Sequence, residues 1–474
     1  MATIEKRRAF ERLAPVRDRF VRRNRHYYRD LTRFYQFHIP AGKRVLELGC
    51  GKGDLLAALR PSYGLGVDFC AAMAREAKAR HPELHFVQAD IESLPVNGKF
   101  DYVVLSDILE NLDDVQGALA DLRPCCAPRT RIICNFFNHV WQPILTFGEW
   151  VNLKTPTPLS NWLSPADVEN LFHLAGYETV SRGYRMLFPR HIPGLSFLFN
   201  RVLANLPGFR KLCLTQHLVA RLQPAPDSDW EKRWSVSILI PTRNEAGNIP
   251  SCFERVPHLG KWTELLFVDG DSTDGTVQAI EQSIAEHGHE WRRALLIPQG
   301  GARGKCDAVR KGFAQARGDI LMILDSDLTM PPEDLPKFYE AIATGRGEFI
   351  NGCRLVYPME KQAMRLVNYL GNKTFSMLFT WLLNQRIKDT LCGTKVLWRE
   401  DYELIGENRH YFGDFDPFGD FDLIFGAAKL DRKIVDLPIR YRERAYGQTK
   451  IERWKHALLL FRMCGVALRR LKLQ

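Results

Sequence analysis

Apolar residues fall in short runs, most of them closed by a glycine or acidic turn and followed by a stretch with helical spacing. Val45–Leu48, Tyr63–Val67, Leu84–Gln88, Tyr102–Ser106 and Arg131–Phe136 read as strands, with helical patterns such as Ala71–Arg80 and Val115–Leu122 between them. Strands alternating with helices predict a doubly wound α/β domain over residues 41–190. A second alternation begins at Val236–Ile240 and runs through Leu265–Asp269, Leu295–Ile297 and Ile320–Leu324, giving a second α/β domain over residues 234–450. Residues 191–233 read as a basic, apolar bridge punctuated by Pro193, Pro207 and Pro224, ending in a linker. Residues 1–40 carry arginines interleaved with aromatics and read as a basic helical lead-in, either a solvated face or a contact for phosphate or membrane. In the tail, residues 451–474, Lys455, Arg462 and Arg469 recur every seven residues opposite Trp454, Ala457, Phe461, Cys464 and Leu468. That spacing predicts an amphipathic helix, packed on the domain or laid on an anionic bilayer.

Length and composition agree with this division. The 474 residues suffice for two cores, and 45% hydrophobic with 26% charged residues argues against disorder. The formal charge of +11 favours acidic partners. No nucleic-acid-binding signature is present, so lipid headgroups and sugar nucleotides are expected rather than nucleic acid. Eleven scattered cysteines with no Cys-x-x-Cys fit reduced thiols of a cytoplasm, not a disulfide framework or zinc site. No apolar window approaches the about 18 residues of a spanning helix, and the Arg-rich N-terminus lacks a secretory signal. A cytoplasmic protein lying on the inner face of the cell membrane is therefore expected.

In the first domain, the strand Val45–Leu48 runs into Gly49, Gly51 and Gly53, where a backbone free of Cβ atoms lets a ligand approach closely. Asp68, at the end of the next strand, is placed to accept hydrogen bonds from a ribose diol. The Gly-x-Gly-x-x-Gly of dinucleotide-binding folds is not completed, since position 54 is Asp and position 56 Leu. These segments resemble the class I S-adenosylmethionine-dependent methyltransferases: Glu47 through Gly53 resembles their first motif, and Ser106 through Leu112 their fourth-strand segment. The resemblance implies a Rossmann-like fold and S-adenosylmethionine as cofactor, with Glu47, Gly49, Gly51, Gly53, Asp68, Asp90 (at the adenine-contacting position) and Asp107 around it. Relatives often carry His where this chain has Asn111. His139 and Trp141 are either acceptor-side residues or core.

In the second domain, Leu265 through Asp269 is followed by Gly270-Asp271-Ser272-Thr273-Asp274, and strand-end acids there suit a nucleoside. Ser272 and Asp274 read equally as turn and cap residues. Arg303 and Lys305, on a glycine loop that opens a helix, are suited to a diphosphate. Asp325 and Asp327, alternate residues at a strand end, would repel unless a cation sat between them, and Mg²⁺ or Mn²⁺ completed by substrate phosphates fits. This half resembles the family 2 glycosyltransferases of the GT-A fold, and among them the polyprenyl (dolichyl)-phosphate sugar transferases. The carriers are Pro241 through Glu245, Asp269 through Thr276, Gly304-Lys305, Asp325-Ser326-Asp327, Asn351 through Arg354, Asp389 through Gly393 and Arg444 through Lys450. The resemblance implies a nucleotide-sugar site of Pro241, Asn244, Glu245, Asp269, Asp271, Arg303, Lys305, Asp325, Ser326 and Asp327, with Asp325 and Asp327 as catalytic metal ligands. Relatives often have a second acid directly after the first, where this chain has Gly270.

The expectation is a bifunctional enzyme: inverting sugar transfer to a polyprenyl phosphate, and methylation of an unidentified acceptor. Arg354, Arg442, Arg444 and Lys450 are the candidate cations for an acceptor phosphate. The alternatives are extension of a glycan at a hydroxyl, with Asp420 or Asp422 as base and methylation of the same glycan, or one half acting only as a binding module.

Overall fold

The computed structural model describes residues 2–154, 161–225, 227–301, 304–357, 366–411, 419–442, 444, 446 and 453–473. The chain divides into two compact units, residues 1–223 and residues 224–472. Among the described residues, no helix is long and apolar enough to cross a membrane.

The first unit is built on a seven-stranded sheet of β1 (Arg44–Leu48), β2 (Tyr63–Asp68), β3 (His85–Gln88), β4 (Phe100–Ser106), β5 (Cys126–Phe137), β6 (Tyr177–Arg185) and β7 (Thr215–Leu222). The strand order is β3-β2-β1-β4-β5-β7-β6. Only β7 runs against its neighbours, pairing antiparallel with β5 and β6. The central strands are buried on both faces, as β1 shows with Val45, Leu46 and Leu48 all inside. One face packs Leu46, Val103 and Ile132 beneath Phe172. The other packs Val45, Val104 and Ile133 beneath Phe34 and Tyr35.

Two boundaries differ from those expected. The bridge is not a connector throughout, because residues 215–222 supply β7, in the interior of the first sheet. Gln216, His217 and Arg221 interrupt its apolar pattern, which hid it; Arg221 is accommodated by an ion pair with Glu178 at 2.5 Å. The lead-in is not a free basic face either. Its third helix, Arg25–His38, buries Tyr27, Phe34 and Tyr35, and the Tyr35 hydroxyl donates to Asn135 at 2.7 Å.

The second unit repeats the plan with β8 (Val236–Thr242), β9 (Thr263–Asp269), β10 (Arg293–Pro298), β11 (Ile320–Ile323), β12 (Phe349–Cys353), β13 (Lys395–Trp398) and β14 (Ile434–Pro438). Their order is β10-β9-β8-β11-β13-β12-β14, again with one antiparallel strand, β13. The C-terminal helix, Arg453–Ala467, takes the packing alternative: Leu460, Met463, Cys464 and Ala467 join the core around Phe375 and Phe379. Phe461, assigned from its spacing to the apolar side, is instead 56% exposed. All eleven cysteines are buried and free.

In both sheets the strand order reverses beside the first strand, between β1 and β4 and between β8 and β11. Open α/β sheets bind ligands in the crevice beyond the carboxyl ends of the strands at such a point.

Candidate active sites

In the first unit that crevice is a cavity of about 460 Å³. Gly49, Gly51 and Gly53 all have positive φ, which turns the chain sharply out of β1. A Cβ on Gly51 would come within 3.0 Å of the Arg17 guanidinium, and one on Gly53 within 2.5 Å of the Phe86 ring. Gly51 lines the cavity, whereas Gly53 does not and serves the packing of the turn. Asp68 ties the turn to β2 by accepting from the Gly51 N–H at 2.8 Å and the Cys70 N–H at 2.9 Å. Burial raises its pKa despite those two donors.

Three more acids enclose the cavity. Glu47 is buried with one carboxylate oxygen unpartnered, and burial pushes it up to about 8 against the pull of Arg17. Asp107, in the left-handed region at φ 50°, accepts from the Tyr27 hydroxyl at 2.7 Å to each oxygen and from the Asn135 amide. Glu110 accepts from the Phe137 N–H at 2.6 Å and leaves its other oxygen unpartnered. Burial raises both of these acids, and the Asp107 charge raises Glu110 further. Tyr27 and Arg17 come from the lead-in. Sequence reading missed them because nothing in a basic-aromatic helix announces which side chains turn inward.

Glu47, Gly49, Gly51, Asp68 and Asp107 thus share one cavity. Asp90 does not join them: it is exposed and caps the short turn Ile91–Ser93 by accepting from the Glu92 N–H. Trp141 is half-buried against Tyr27, Met186 and Leu214 and also lines the cavity, its indole N–H donating to Leu212 at 2.7 Å, and His139 is exposed. A glycine cradle, orphaned buried carboxylate oxygens and enough volume for a nucleoside fit S-adenosylmethionine.

In the second unit the crevice is a cavity of about 440 Å³, floored by Asp325, Ser326 and Asp327 just beyond β11. Lys305, the first residue of the helix Lys305–Gln315, donates to Asp325 at 2.6 Å. Burial alone would raise the Asp325 carboxyl, but Lys305, Lys395 and Arg354 together outweigh it and the pKa falls. Asp327 accepts from the Thr329 hydroxyl at 2.8 Å and from Arg444 at 2.5 Å. Ser326 donates to the Pro241 carbonyl at 2.9 Å, fastening the acid pair to the end of β8. The Asp389–Gly393 loop passes so close that a Cβ on Gly393 would sit 1.9 Å from the Asp325 carboxylate.

Arg354 lines the cavity but is gripped by the fully buried Asp389, at 2.8 Å from Nε and 2.9 Å from Nη2. That guanidinium and the Asn372 amide overcome the effect of burial and hold Asp389 well below the usual carboxylate range. Pro241 and Glu245 line the cavity too, and Glu245 accepts from Asn248 at 2.8 Å.

Three expected nucleotide contacts do not line it. Asp269 accepts from the Ser272 N–H at 2.9 Å and from its hydroxyl. Asn244 accepts from the Thr273 N–H at 2.8 Å, and Asp271 from the Gly301 N–H at 3.0 Å. Their side chains knit together the loops that follow β8, β9 and β10. Asp274, two residues before the helix Thr276–His287, accepts from the Thr276 N–H at 3.1 Å. Asp422 is absent from the cavity wall; Arg409 holds it at 2.8 Å, which corrects the expectation of a free base there. Arg442 is exposed. Arg303, Lys450 and the Asp420 side chain lie outside the described residues.

Among the described residues no group of three or more His, Cys, Asp or Glu is placed to hold a metal ion. The Asp325–Asp327 pair offers two carboxylates beside an open cavity. This fits a hard divalent cation that takes its remaining oxygens from substrate phosphate and water, not an all-protein cage.

Comparison with known proteins agrees with the two halves. Residues 20–182 match the methyltransferase domain model, and residues 237–403 match glycosyl transferase family 2. The dolichol-phosphate mannosyltransferase of Pyrococcus furiosus is 28% identical over 223 residues, covering 46% of this chain and 59% of the relative. The undecaprenyl-phosphate 4-deoxy-4-formamido-L-arabinose transferase of Aeromonas hydrophila is 33% identical over 223 residues, covering 45% of this chain and 62% of the relative. The chain thus spans about three fifths of the length of these curated relatives. A solved S-adenosylmethionine-dependent methyltransferase of Thermotoga maritima, described as a possible histamine N-methyltransferase, aligns with 45% of this chain and 98% of its own at 16% identity and a TM-score of 0.37. The chain joins a methyltransferase domain, over residues 20–182, to a family 2 glycosyltransferase domain, over residues 237–403.

Proposed function

We infer that the second unit transfers a sugar from a nucleotide-sugar to a polyprenyl phosphate with inversion, and that the first methylates a separate acceptor. The observation that carries the first part is the cavity in which Asp325 and Asp327 are each matched by a cation, Lys305 and Arg444. An arriving diphosphate competes with the carboxylates for those cations, so Lys305 and Arg444 turn from internal ion pairs to substrate contacts. Mg²⁺ or Mn²⁺ held by Asp325 and Asp327 would neutralise the charge growing on the departing diphosphate. Pro241, Glu245 and Ser326 form the wall against which the nucleotide rests.

A phosphate monoester has its second pKa at about 6, so the acceptor is already largely ionised near neutrality and needs no protein base. This agrees with the ion-paired state of Asp422, the one candidate base whose side chain is described. Arg444 and Arg442 are the cations that orient the acceptor, while Arg354 is committed to Asp389. The relatives named above, whose names specify dolichol phosphate and undecaprenyl phosphate, support that acceptor class.

In the first unit, Glu47, Gly49, Gly51 and Asp68 would hold S-adenosylmethionine, with Asp107 and Tyr27 beside the methyl acceptor. Methyl transfer from a sulfonium requires in-line approach at short range, which the enclosed cavity provides.

The test is incubation of the full chain with labelled nucleotide-sugars, Mn²⁺ and a dispersed polyprenyl phosphate. A phosphate-linked lipid product lost on chelation is expected. Turnover on a soluble sugar acceptor but not on the lipid would overturn the reading.

A further inference from the structure

Twenty large apolar side chains are exposed among the described residues, and twelve of them fall in two segments of the first unit, residues 140–150 and 192–212. The helix Gln142–Trp150 buries none of its residues, although it carries Ile144, Phe147 and Trp150 at one-face spacing. Trp150 is 79% exposed and lies tilted against Phe147, with ring centroids 5.8 Å apart. Leu145 packs on the small cluster of Tyr27, Met186 and Leu214, but a helix that leaves so many of its apolar side chains facing water is unstable unless something else covers them.

The second segment lies beside the first. Asn138 donates to the Lys211 and Cys213 carbonyls at 2.8 and 2.9 Å, and Trp141 donates to Leu212. Here Phe197 is 61% exposed and Phe209 48%. From residue 186 to residue 214 the sequence contains no Asp or Glu, but has Arg190, Arg201, Arg210 and Lys211. Glu149, the acid of the first segment, is paired to Lys154, and Arg201 to Asp30, which leaves Arg190, Arg210 and Lys211 at the border. Exposed aromatic and aliphatic groups bordered by such cations complement an anionic bilayer: the rings enter the acyl boundary and the cations meet the headgroups.

The position of this face adds the functional content. Ile144, Leu145, Gly148 and Arg190 belong both to these segments or their edges and to the wall of the methyltransferase cavity. We propose that residues 140–150 and 192–212 dock the first unit on an anionic lipid surface, opening the methyl-transfer cavity toward it so that the methyl acceptor is lipid-borne. The lipid-phosphate reading above supports the choice of occupant, but the surface stands on its own residues.

The experiment is flotation of the full chain with phosphatidylcholine vesicles, with and without phosphatidylglycerol. Wild type is expected to float only with the anionic lipid and to be released by salt. The double variants Phe147→Ser with Trp150→Ser, and Arg210→Glu with Lys211→Glu, should each lose about tenfold or more in vesicle affinity. Trp150 emission should be quenched by brominated acyl chains. Undiminished flotation of both double variants overturns the proposal. So does a concentration-dependent dimer of wild type that these variants abolish while vesicles go unbound, which would make the face a contact between copies of this chain. Sugar transfer to detergent-dispersed polyprenyl phosphate separates the two readings. Both double variants should retain it, and a wild type that floats but makes no such product fails the proposed function alone.

Discussion

The two units share a sheet plan and place acids at the same topological point, yet treat those acids in opposite ways. In the first, Glu47, Asp68, Asp107 and Glu110 have raised pKa values because burial outweighs their nearby donors and charges. In the second, Asp389 is fully buried and Asp325 half-buried, yet both are lowered, because Lys305 and Arg354 stand against them. Desolvation disfavours a lone carboxylate, and an adjacent cation reverses the sign. The first arrangement suits a ligand that carries positive charge and hydroxyl donors, such as a sulfonium nucleoside. The second keeps cations and carboxylates in balance until a polyanion and its metal arrive together. A common fold therefore says little about ligand charge; the pairing of side chains at the strand ends says more.

Four experiments would break or sharpen that contrast. The largest effect is expected from Asp327→Ala, which should reduce sugar transfer by about a thousandfold or more while leaving S-adenosylmethionine binding unchanged by calorimetry. Equal damage to both activities would dissolve the distinction between the sites. Next, Arg354→Ala should strip Asp389 of its partner and destabilise the second unit by about 3–5 kcal/mol, seen as a fall in the melting transition of that unit, because a buried charge is left uncompensated. Asp68→Ala should then weaken S-adenosylmethionine binding by roughly ten- to a hundredfold with sugar transfer intact, since it removes both a ribose acceptor and the anchor of the glycine turn.

The subtlest test is pH. Glu47 has its folded pKa raised from 4.5 to about 8. In that interval the folded form holds a proton that the unfolded form has released, so this group makes the first unit less stable as pH rises from 4.5 toward 8. Asp389 runs the other way: its stabilisation is complete above the ordinary carboxyl value of 3.8 and is lost as pH falls below it. Thermal melts should therefore show the first unit losing stability as pH rises from 4.5 toward 8 and the second losing it as pH falls below 3.8, and Glu47→Gln should flatten the slope of the first. A first-unit transition whose pH slope is unchanged by Glu47→Gln contradicts the burial argument.

Much of this was legible without coordinates, and the exceptions have physical causes. Strands β1, β2, β4, β9 and β11 are apolar runs closed by glycine or acid, and such runs announce themselves. Strand β7 does not, because Gln216, His217 and Arg221 break its pattern and it joins the sheet out of chain order. The acid pair Asp325–Asp327 and the glycine turn at Gly49 were visible because their spacing is local. The partners that set their charge state were not. Tyr27 is 80 residues from Asp107, and Arg444 is 117 residues from Asp327. Asp422 and Asp90 carry the right chemistry for a site but are occupied elsewhere, by Arg409 and by a backbone N–H.

What the sequence determined by itself was the class of each half, since strand period, glycine turns and strand-end acids are short-range properties of the chain. What only the tertiary structure decided was which acids keep their protons, which cations are already taken, and where apolar side chains are left facing outward. Those outcomes depend on burial and on contacts between residues far apart in the chain, and local spacing carries no record of either.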